Sequence, residues 1–265
     1  ALRSVVRSAN FHSLNCIGFY RGYQGIIEND FKLLKMRSVS NILELGGTIL
    51  RSMRSLDFHN AKIREKAYDN LMSHNIDALI VIGGNGSITG ANIFSQQFGF
   101  PCIGIPASID NDIYGTDYSI GFQTALQTIV ESVDKIRDTA RSHNRLFFIE
   151  VMGRDNGNLA LYSAIASGAC FVIIPEKDFE INNLAERLKF GISVSKSSSV
   201  VIVAEGNNYG PSYKIANDLS EIFDEYESKV TILGHLQRGG SPVVMDRLIA
   251  SRLGFSAVQA LVCLL

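Results

Sequence analysis

Apolar residues in this chain come in short uninterrupted runs, and polar residues collect between them. Runs at 15–20, 78–82, 102–105, 146–151, 171–174, 200–204 and 229–233 have the length and branched character of strands buried on both faces. Longer segments with helical spacing stand between them, at 60–73, 117–141, 182–194 and 245–262. In 117–141 the residues Ile120, Thr124, Ile129, Val133 and Ile136 fall largely on one helical face. Regular alternation of strand and helix predicts βαβ units, right-handed crossovers and largely parallel sheets, which is an α/β fold. No tandem repeat or low-complexity linker divides the chain. A domain division therefore has to run through a long element, and 117–141 is the candidate for a helix bridging two lobes. The chain opens on a helical segment, 2–9, and ends inside an apolar one, 258–265, so a first strand ahead of residue 2 is expected to be missing.

Composition narrows the partners. With 265 residues there is room for one large or two moderate domains, each with its own core. A net charge of −1 and the lack of a basic block argue against nucleic acid. No apolar run reaches membrane-spanning length and no secretory leader opens the chain, so neither a membrane nor export is expected. Cys16, Cys102, Cys170 and Cys263 are widely spaced in apolar stretches. That spacing suits buried, reduced thiols in a cytoplasmic protein and gives neither a zinc site nor a disulfide framework.

Three clusters carry candidate chemistry. The first is Pro106-Ala107-Ser108-Ile109-Asp110-Asn111-Asp112, read as the loop delivered by the strand at 102–105. Ligands bind at the carboxyl edge of open α/β sheets. One carboxylate of the Asp-x-Asp pair there can take a proton from a hydroxyl while the other helps hold a metal-bound phosphate. A polar turn capping the next helix would look the same in sequence. The second cluster is Gly83-Gly84-Asn85-Gly86-Ser87 after the strand at 78–82, with Ser87 as a candidate helix cap. Such glycines let backbone amides approach phosphate oxygens, or make a plain tight turn. It is neither a Walker A loop nor a dinucleotide fingerprint. The third cluster is basic: Arg145, then Met152-Gly153-Arg154, then His235 to Gly240 with Arg238. Each group lies at a strand end, so the three are expected to converge on one anion, as a sugar phosphate would require. Singly, each arginine reads equally as a surface ion pair and His235 as a structural histidine. Glu205, at the end of the strand at 200–204, is either an acceptor for sugar hydroxyls or a solvated carboxylate. Together the clusters describe phosphoryl transfer from a nucleotide to a phosphorylated sugar, chemistry that rests on positioning and charge.

Four motifs then stand in one order: the acidic heptapeptide, Gly-Thr-Asp-Tyr-x-Ile-Gly-Phe (Gly115 to Phe122), Glu-Val-Met-Gly-Arg (Glu150 to Arg154) and Gly-His-Leu-Gln-Arg-Gly-Gly-Ser-Pro (Gly234 to Pro242). In these the chain resembles the bacterial-type 6-phosphofructokinases over essentially its whole length. Kinases of lipids or nicotinamide nucleotides share a similar glycine loop but do not account for the segment from Gly234 to Pro242. The resemblance implies two Rossmann-like three-layer α/β/α lobes with mainly parallel sheets. The larger, ATP-binding lobe would be 1–121 with 235–265, and the smaller lobe, for fructose 6-phosphate and effectors, 122–234. It implies a glycolytic enzyme that phosphorylates fructose 6-phosphate at its 1-hydroxyl with Mg2+ and ATP, as a homotetramer with sugar and effector sites at subunit contacts. Asp110 would be the base, and Ser108, Asp112 and Arg154 would orient the transferring group. Ile109, Met152, Gly153, Glu205, His235 and Arg238 would line the sugar site, with Arg145 and Lys229 reaching in from a neighbouring subunit. Tyr23, Arg54, Ser55, Gly84, Asn85, Gly86, Ser87 and Gly90 would hold ATP, and Asn85 and Asp112 would face the metal. Arg3, Arg7, Arg137 and Lys196 would form the effector site.

The departures from that pattern are specific. Gly86 and Ala107 stand where the pyrophosphate-dependent branch carries Asp and Lys, which favours ATP as donor. The family's N-terminal Gly-Gly-Asp loop is absent, an expected truncation. Asn85 replaces a metal-binding Asp; losing a unit charge about 4 Å from the ion costs up to about 4 kcal/mol at an effective dielectric near 20. Lys229 replaces an arginine, keeping charge but not bidentate geometry. Met36, Val194 and Cys170 replace effector-site residues, so ADP activation is not expected. Asn85 and Lys229 also motivate an alternative, a regulatory subunit that binds sugar phosphate without turnover.

Overall fold

The structure, a computed structural model, describes residues 1–143, 145–193 and 199–264. The chain forms two compact units of nearly equal length, Ala1–Ser108 with Ser241–Leu265, and Ile109–Gly240. The boundaries thus fall at 108/109, where a strand ends inside the acidic motif, and at 240/241, inside the segment from Gly234 to Pro242, and not within a long helix.

In the first unit, α1 (Leu2–Phe11), β1 (Cys16–Phe19), α2 (Tyr23–Glu28), β2 (Phe31–Leu34), α3 (Ala61–Ser73), β3 (Leu79–Gly83), α4 (Asn85–Phe98) and β4 (Cys102–Ser108) follow in order. β3 and β4 are parallel, in register from Leu79 opposite Cys102 to Gly83 opposite Pro106. β1 and β2 form an antiparallel pair that the sequence pattern did not indicate. Only Leu34 of β2 is buried, so the strand lacks the apolar run that marks the others. Asn60 starts α3 by accepting the Lys62 amide at 3.0 Å. α3 and α4 then bury Ala67, Leu71 and Phe94 with Leu79 and Phe100 as one core. The last helix of the chain, Val244–Leu264, packs against α1 and β4. By length and composition it could cross a membrane, contrary to the expectation that no segment would. It carries Asp246, Arg247 and Arg252 and buries one face, as the helix of a domain core does.

The second unit contains β5 (Ile120–Gly121), α5 (Phe122–His143), β6 (Arg145–Val151), α6 (Asn158–Ser167), β7 (Phe171–Ile173), α7 (Ile181–Ser193), β8 (Ser199–Ala204), α8 (Ser212–Ser220), β9 (Glu227–Ile232) and a 3-10 turn at Gly234–Arg238, with Val244–Leu264 numbered α9. Its four-stranded sheet runs β7-β8-β6-β9, parallel throughout. Phe147, Ile149 and Val151 of β6 face one core with Phe122, Ile129 and Val133 of α5, while Leu146 and Phe148 face another with Leu184 and Leu188 of α7. Both faces are covered, so these strands read as continuous apolar runs. α5 begins at Phe122, five residues later than its apolar pattern suggested, and lies wholly in this unit. The thiols also differ from expectation: none of the four cysteines is in a disulfide, but Cys16, Cys102 and Cys170 are half-buried and Cys263 is exposed.

Candidate active site

In the first unit the glycine cluster links β3 directly to α4. β3 ends at Gly83, Gly84 is the N-cap and α4 begins at Asn85. Ser87 is therefore not the cap: it sits inside the first turn, its amide donating to Gly84 O at 3.0 Å. Only Gly84 stands between strand and helix, and it has no side chain to cap with, so the helix's amide end is left open at the carboxyl edge. A side chain at Gly83 would meet Ser87 Cβ at 2.7 Å, so only glycine allows this tight join, whereas a Cβ on Gly86 would meet nothing within 4 Å. Tyr23 braces the same turn. Its hydroxyl donates to Ser87 O at 2.5 Å, its ring stacks on Phe58 at 3.9 Å, and Gly90 lies against it. Burial holds the Tyr23 phenol well above its usual pKa, so it stays a donor. Ser55 Oγ donates to Gln24 Oε1 at 2.9 Å, and Arg54 is exposed on the preceding loop.

The acidic motif divides differently from its reading as one loop. β4 continues through Pro106, Ala107 and Ser108, and the turn begins at Ile109. Asn111 adopts a left-handed conformation with φ 53°. Asparagine tolerates that region better than most residues. Its Oδ1 accepts the Ser119 amide at 2.7 Å and its Nδ2 donates to Asp117 O at 3.1 Å. Asn158, at the start of α6, donates to Asn111 O at 2.9 Å. The backbone beside Asp110 is thus held from two directions, and α5, the next helix in the chain, starts ten residues beyond Asp112.

In the second unit the structure brings Asp110 into one electrostatic neighbourhood with Asp112, Glu205, Arg154 and Arg238. Burial raises the Asp110 pKa above the ordinary carboxylate value, with Asp112 and Glu205 adding to the rise and Arg238 and Arg154 opposing it. Arg154 follows β6 with φ 55° and an exposed side chain that pairs with Asp155 at 3.4 Å. Its amide donates to Glu205 Oε1 at 2.9 Å. The two loops meet so closely that a Cβ on Gly206 would overlap Arg154 O at 1.8 Å. Gln237, buried in the 3-10 turn, accepts the Met152 amide at 3.1 Å and donates to Gly234 O at 2.9 Å. This ties the segment 152–154 to the turn that carries the exposed His235 and Arg238. Glu150, inside the Glu-Val-Met-Gly-Arg motif, faces away from this chemistry. Its carboxylate accepts the Ser212 amide at 3.0 Å and hydroxyl at 2.7 Å, holding the first turn of α8.

Asn111, Asn158, Gln237 and Gly206 are positioning residues to which sequence reasoning assigned nothing. Only Asn111 offered a signal, by its residue type in a turn.

Arg145 does not join this group. It opens β6, whereas Arg154 follows the other end of the same strand, and seven residues at about 3.3 Å each separate the two edges by about 20 Å. Arg145 Nε instead pairs with Glu227 Oε2 at 2.8 Å, and Glu227 Oε1 with Lys229 Nζ at 2.5 Å. The expected convergence of all three basic groups is thus corrected to two, because the strands are parallel and only their carboxyl ends share an edge.

Among the effector candidates, Arg3 and Arg7 lie one turn apart on α1, and Arg137 donates to Gly168 O at 3.4 Å. Met36 and Arg37 line a hollow of about 430 Å³ with Val6 and Asn10. Cys170 Sγ donates to Val200 O at 3.2 Å. Lys196 and Val194 lie outside the described residues. Among the described residues, no three His, Cys, Asp or Glu side chains cluster as a metal cage.

The phosphofructokinase family model matches residues 1–261. An ATP-dependent 6-phosphofructokinase 2 of Bacteroides thetaiotaomicron is 53% identical over 261 residues, covering 98% of this chain and 80% of its own. The crystal structure of Pichia pastoris phosphofructokinase in the T-state superposes with a TM-score of 0.93 at 36% identity, over 98% of this chain, which spans 30% of that longer one. A pyrophosphate-dependent phosphofructokinase from Marinobacter aquaeolei has a TM-score of 0.83 over 99% of this chain and 71% of its own, but at 22% identity it shares the fold alone. By this match across nearly its whole length, the chain belongs to the phosphofructokinase family.

Proposed function

We propose that this chain transfers the γ-phosphoryl group of ATP to the 1-hydroxyl of fructose 6-phosphate, with Asp110 as the base. The observation that carries the reading is the grouping of Asp110, Asp112, Glu205, Arg154 and Arg238 in one neighbourhood of the second unit. Phosphoryl transfer needs a base at the acceptor hydroxyl and positive charge on the transferring group, with little other covalent work for the protein. Asp110 takes the hydroxyl proton, while Ser108, Asp112 and Arg154 orient the phosphoryl group. Ile109, Met152, Gly153, Glu205, His235 and Arg238 hold the sugar phosphate. In the first unit, the amide end of α4 with Gly84, Gly86, Ser87 and Gly90 receives ATP phosphates, and Tyr23, Arg54 and Ser55 flank them. The first unit is thus read as the ATP-binding lobe, carrying the effector candidates Arg3 and Arg7, and the second as the sugar lobe, carrying the effector candidate Arg137.

The family's chemistry is consistent with a divalent metal, and Mg2+ is the ion this donor set suits. It binds through one or two carboxylates plus substrate phosphates, not through an all-protein cage. Asp112 and the Asn85 amide oxygen offer hard oxygen donors of that kind, and the ion would neutralise phosphate charge. Asn85→Asp is expected to lower the magnesium concentration needed for half-maximal rate; an unchanged requirement would make Asn85 a turn residue only.

Arg145 and Lys229 stand at the amino edge of their sheet, out of reach of a sugar phosphate at its carboxyl edge. This supports a homotetramer in which they serve a neighbouring subunit, and kinship with bacterial phosphofructokinases supports a cytoplasmic location. The open space at Gly86 supports ATP over pyrophosphate. The test is a coupled assay with magnesium, fructose 6-phosphate and either ATP or pyrophosphate. Turnover with ATP is expected; a rate no higher than that of an Asp110→Asn control would overturn the enzyme reading, and preference for pyrophosphate would overturn the donor.

A further inference from the structure

β6 and β9 place Arg145 directly beside Glu227, with Lys229 two residues on and on the same face of the strand. Each carboxylate oxygen of Glu227 takes one cation, Oε2 the guanidinium at 2.8 Å and Oε1 the ammonium at 2.5 Å. All three side chains are open to solvent, at 30%, 54% and 43% exposure for Arg145, Glu227 and Lys229. The hydrogen bond from Lys229 and then that from Arg145 hold Glu227 below the usual carboxylate pKa, so it is ionised wherever the cations would meet a phosphate. The exposure matters because an ordinary surface ion pair contributes little to stability. Two such contacts on one carboxylate instead fix where the two positive charges stand.

We propose that Glu227 is a built-in counter-anion that gathers Arg145 and Lys229 and that an arriving phosphate monoester has to displace. A phosphate monoester carries close to two negative charges at neutral pH and brings three acceptor oxygens, so it can replace a carboxylate on both cations at once. A monoanion offers no such gain over Glu227. The residue therefore sets the affinity of the cation pair and its preference for phosphate. The inference rests on the reading above, in which Arg145 and Lys229 meet the phosphate of fructose 6-phosphate.

Two measurements on the full chain test it. Calorimetric titration with inorganic phosphate is expected to show binding about two- to five-fold tighter in Glu227→Gln than in wild type, the range open to an exposed ion pair. Glu227→Asp, which keeps the charge, stays near wild type, and Glu227→Gln combined with Arg145→Met loses the gain. In steady-state kinetics with fructose 6-phosphate, Glu227→Gln lowers KM by a similar factor and changes kcat less. Equal or weaker phosphate binding by Glu227→Gln overturns the inference, whether or not the chain turns over. Absence of turnover by the wild type overturns the functional reading and leaves the phosphate titration to decide this one.

Discussion

The two edges of the second unit's parallel sheet carry similar charged residues and use them in opposite ways. At the carboxyl edge, Arg154 is positioned through its backbone: its amide is held by Glu205 and its carbonyl is packed on Gly206. Its guanidinium, in a looser and more exposed pair with Asp155 at 3.4 Å, and that of Arg238 stay open beside Asp110. At the amino edge, side chains do the holding, and Glu227 neutralises part of the charge of Arg145 and Lys229. Positive charge fixed by backbone geometry stays available to a ligand. Positive charge fixed by a counter-ion is available only to a ligand that competes with that ion. The same residue types therefore make a preorganised site at one edge and a displaceable pair at the other.

The sharpest way to break the comparison is at the base. Asp110→Asn should lower kcat by about a hundred- to ten-thousand-fold, the usual span for general-base removal. The same variant should unfold at a higher temperature at neutral pH. A carboxylate whose folded pKa is raised contributes stability below its unfolded pKa, and that contribution is lost as pH rises through the folded value. Near-normal turnover in Asp110→Asn would remove the carboxyl edge from the chemistry altogether.

Backbone positioning is tested next. Gly206→Ala drives a methyl into the Arg154 carbonyl and should cost about 1–3 kcal/mol of stability, as overpacking does. It should also weaken fructose 6-phosphate affinity, read as a raised KM. A variant with wild-type stability and KM would show that the loop contact positions nothing.

Electrostatics at this edge predict pH shifts of opposite sign. Asp110 works as a base only when ionised, so kcat/KM falls as pH drops through its raised pKa in the free protein. Arg238 opposes that rise and Glu205 adds to it. Arg238→Met should therefore move the acid limb of the pH–rate profile to higher pH, and Glu205→Gln to lower pH. Shifts in one common direction would contradict the grouping.

The smallest effect belongs to the amino edge. Arg145→Ala should change the thermal midpoint by no more than about 2 °C, because its pair with Glu227 is exposed and screened. A larger loss would mean that the pair supports the sheet and not a ligand.

Legibility in the sequence followed burial. β6 and β8 stood out because both faces pack against helices, which demands apolar residues at every position from Leu146 to Phe148 and Val200 to Val203. β2 and β5 did not stand out, being short and only partly covered. The glycine join of β3 to α4 was visible as glycines, but its cap was not, since Gly84 and Ser87 are both acceptable first-turn residues. In the site, Asp110, Arg154, Glu205 and Arg238 were legible as chemically distinctive residues just past apolar runs. The residues that hold them were not, because amides that bind backbone carry no sign of their partners.

What the sequence by itself determined is the alternation of buried strands and helices and, through four ordered motifs, the family. Both follow from local chemistry: an apolar run buries itself, and a motif needs no partner to be read. Tertiary structure decided which of those residues meet. Gln237 reaches Met152 across 85 positions, Glu227 reaches Arg145 across 82, and Asn158 reaches Asn111 across 47. It also decided that Arg145 and Arg154, nine positions apart in the chain, stand on opposite edges of one sheet. Parallel pairing places all carboxyl ends together and all amino ends apart from them, and register between distant strands is fixed only when the sheet is assembled.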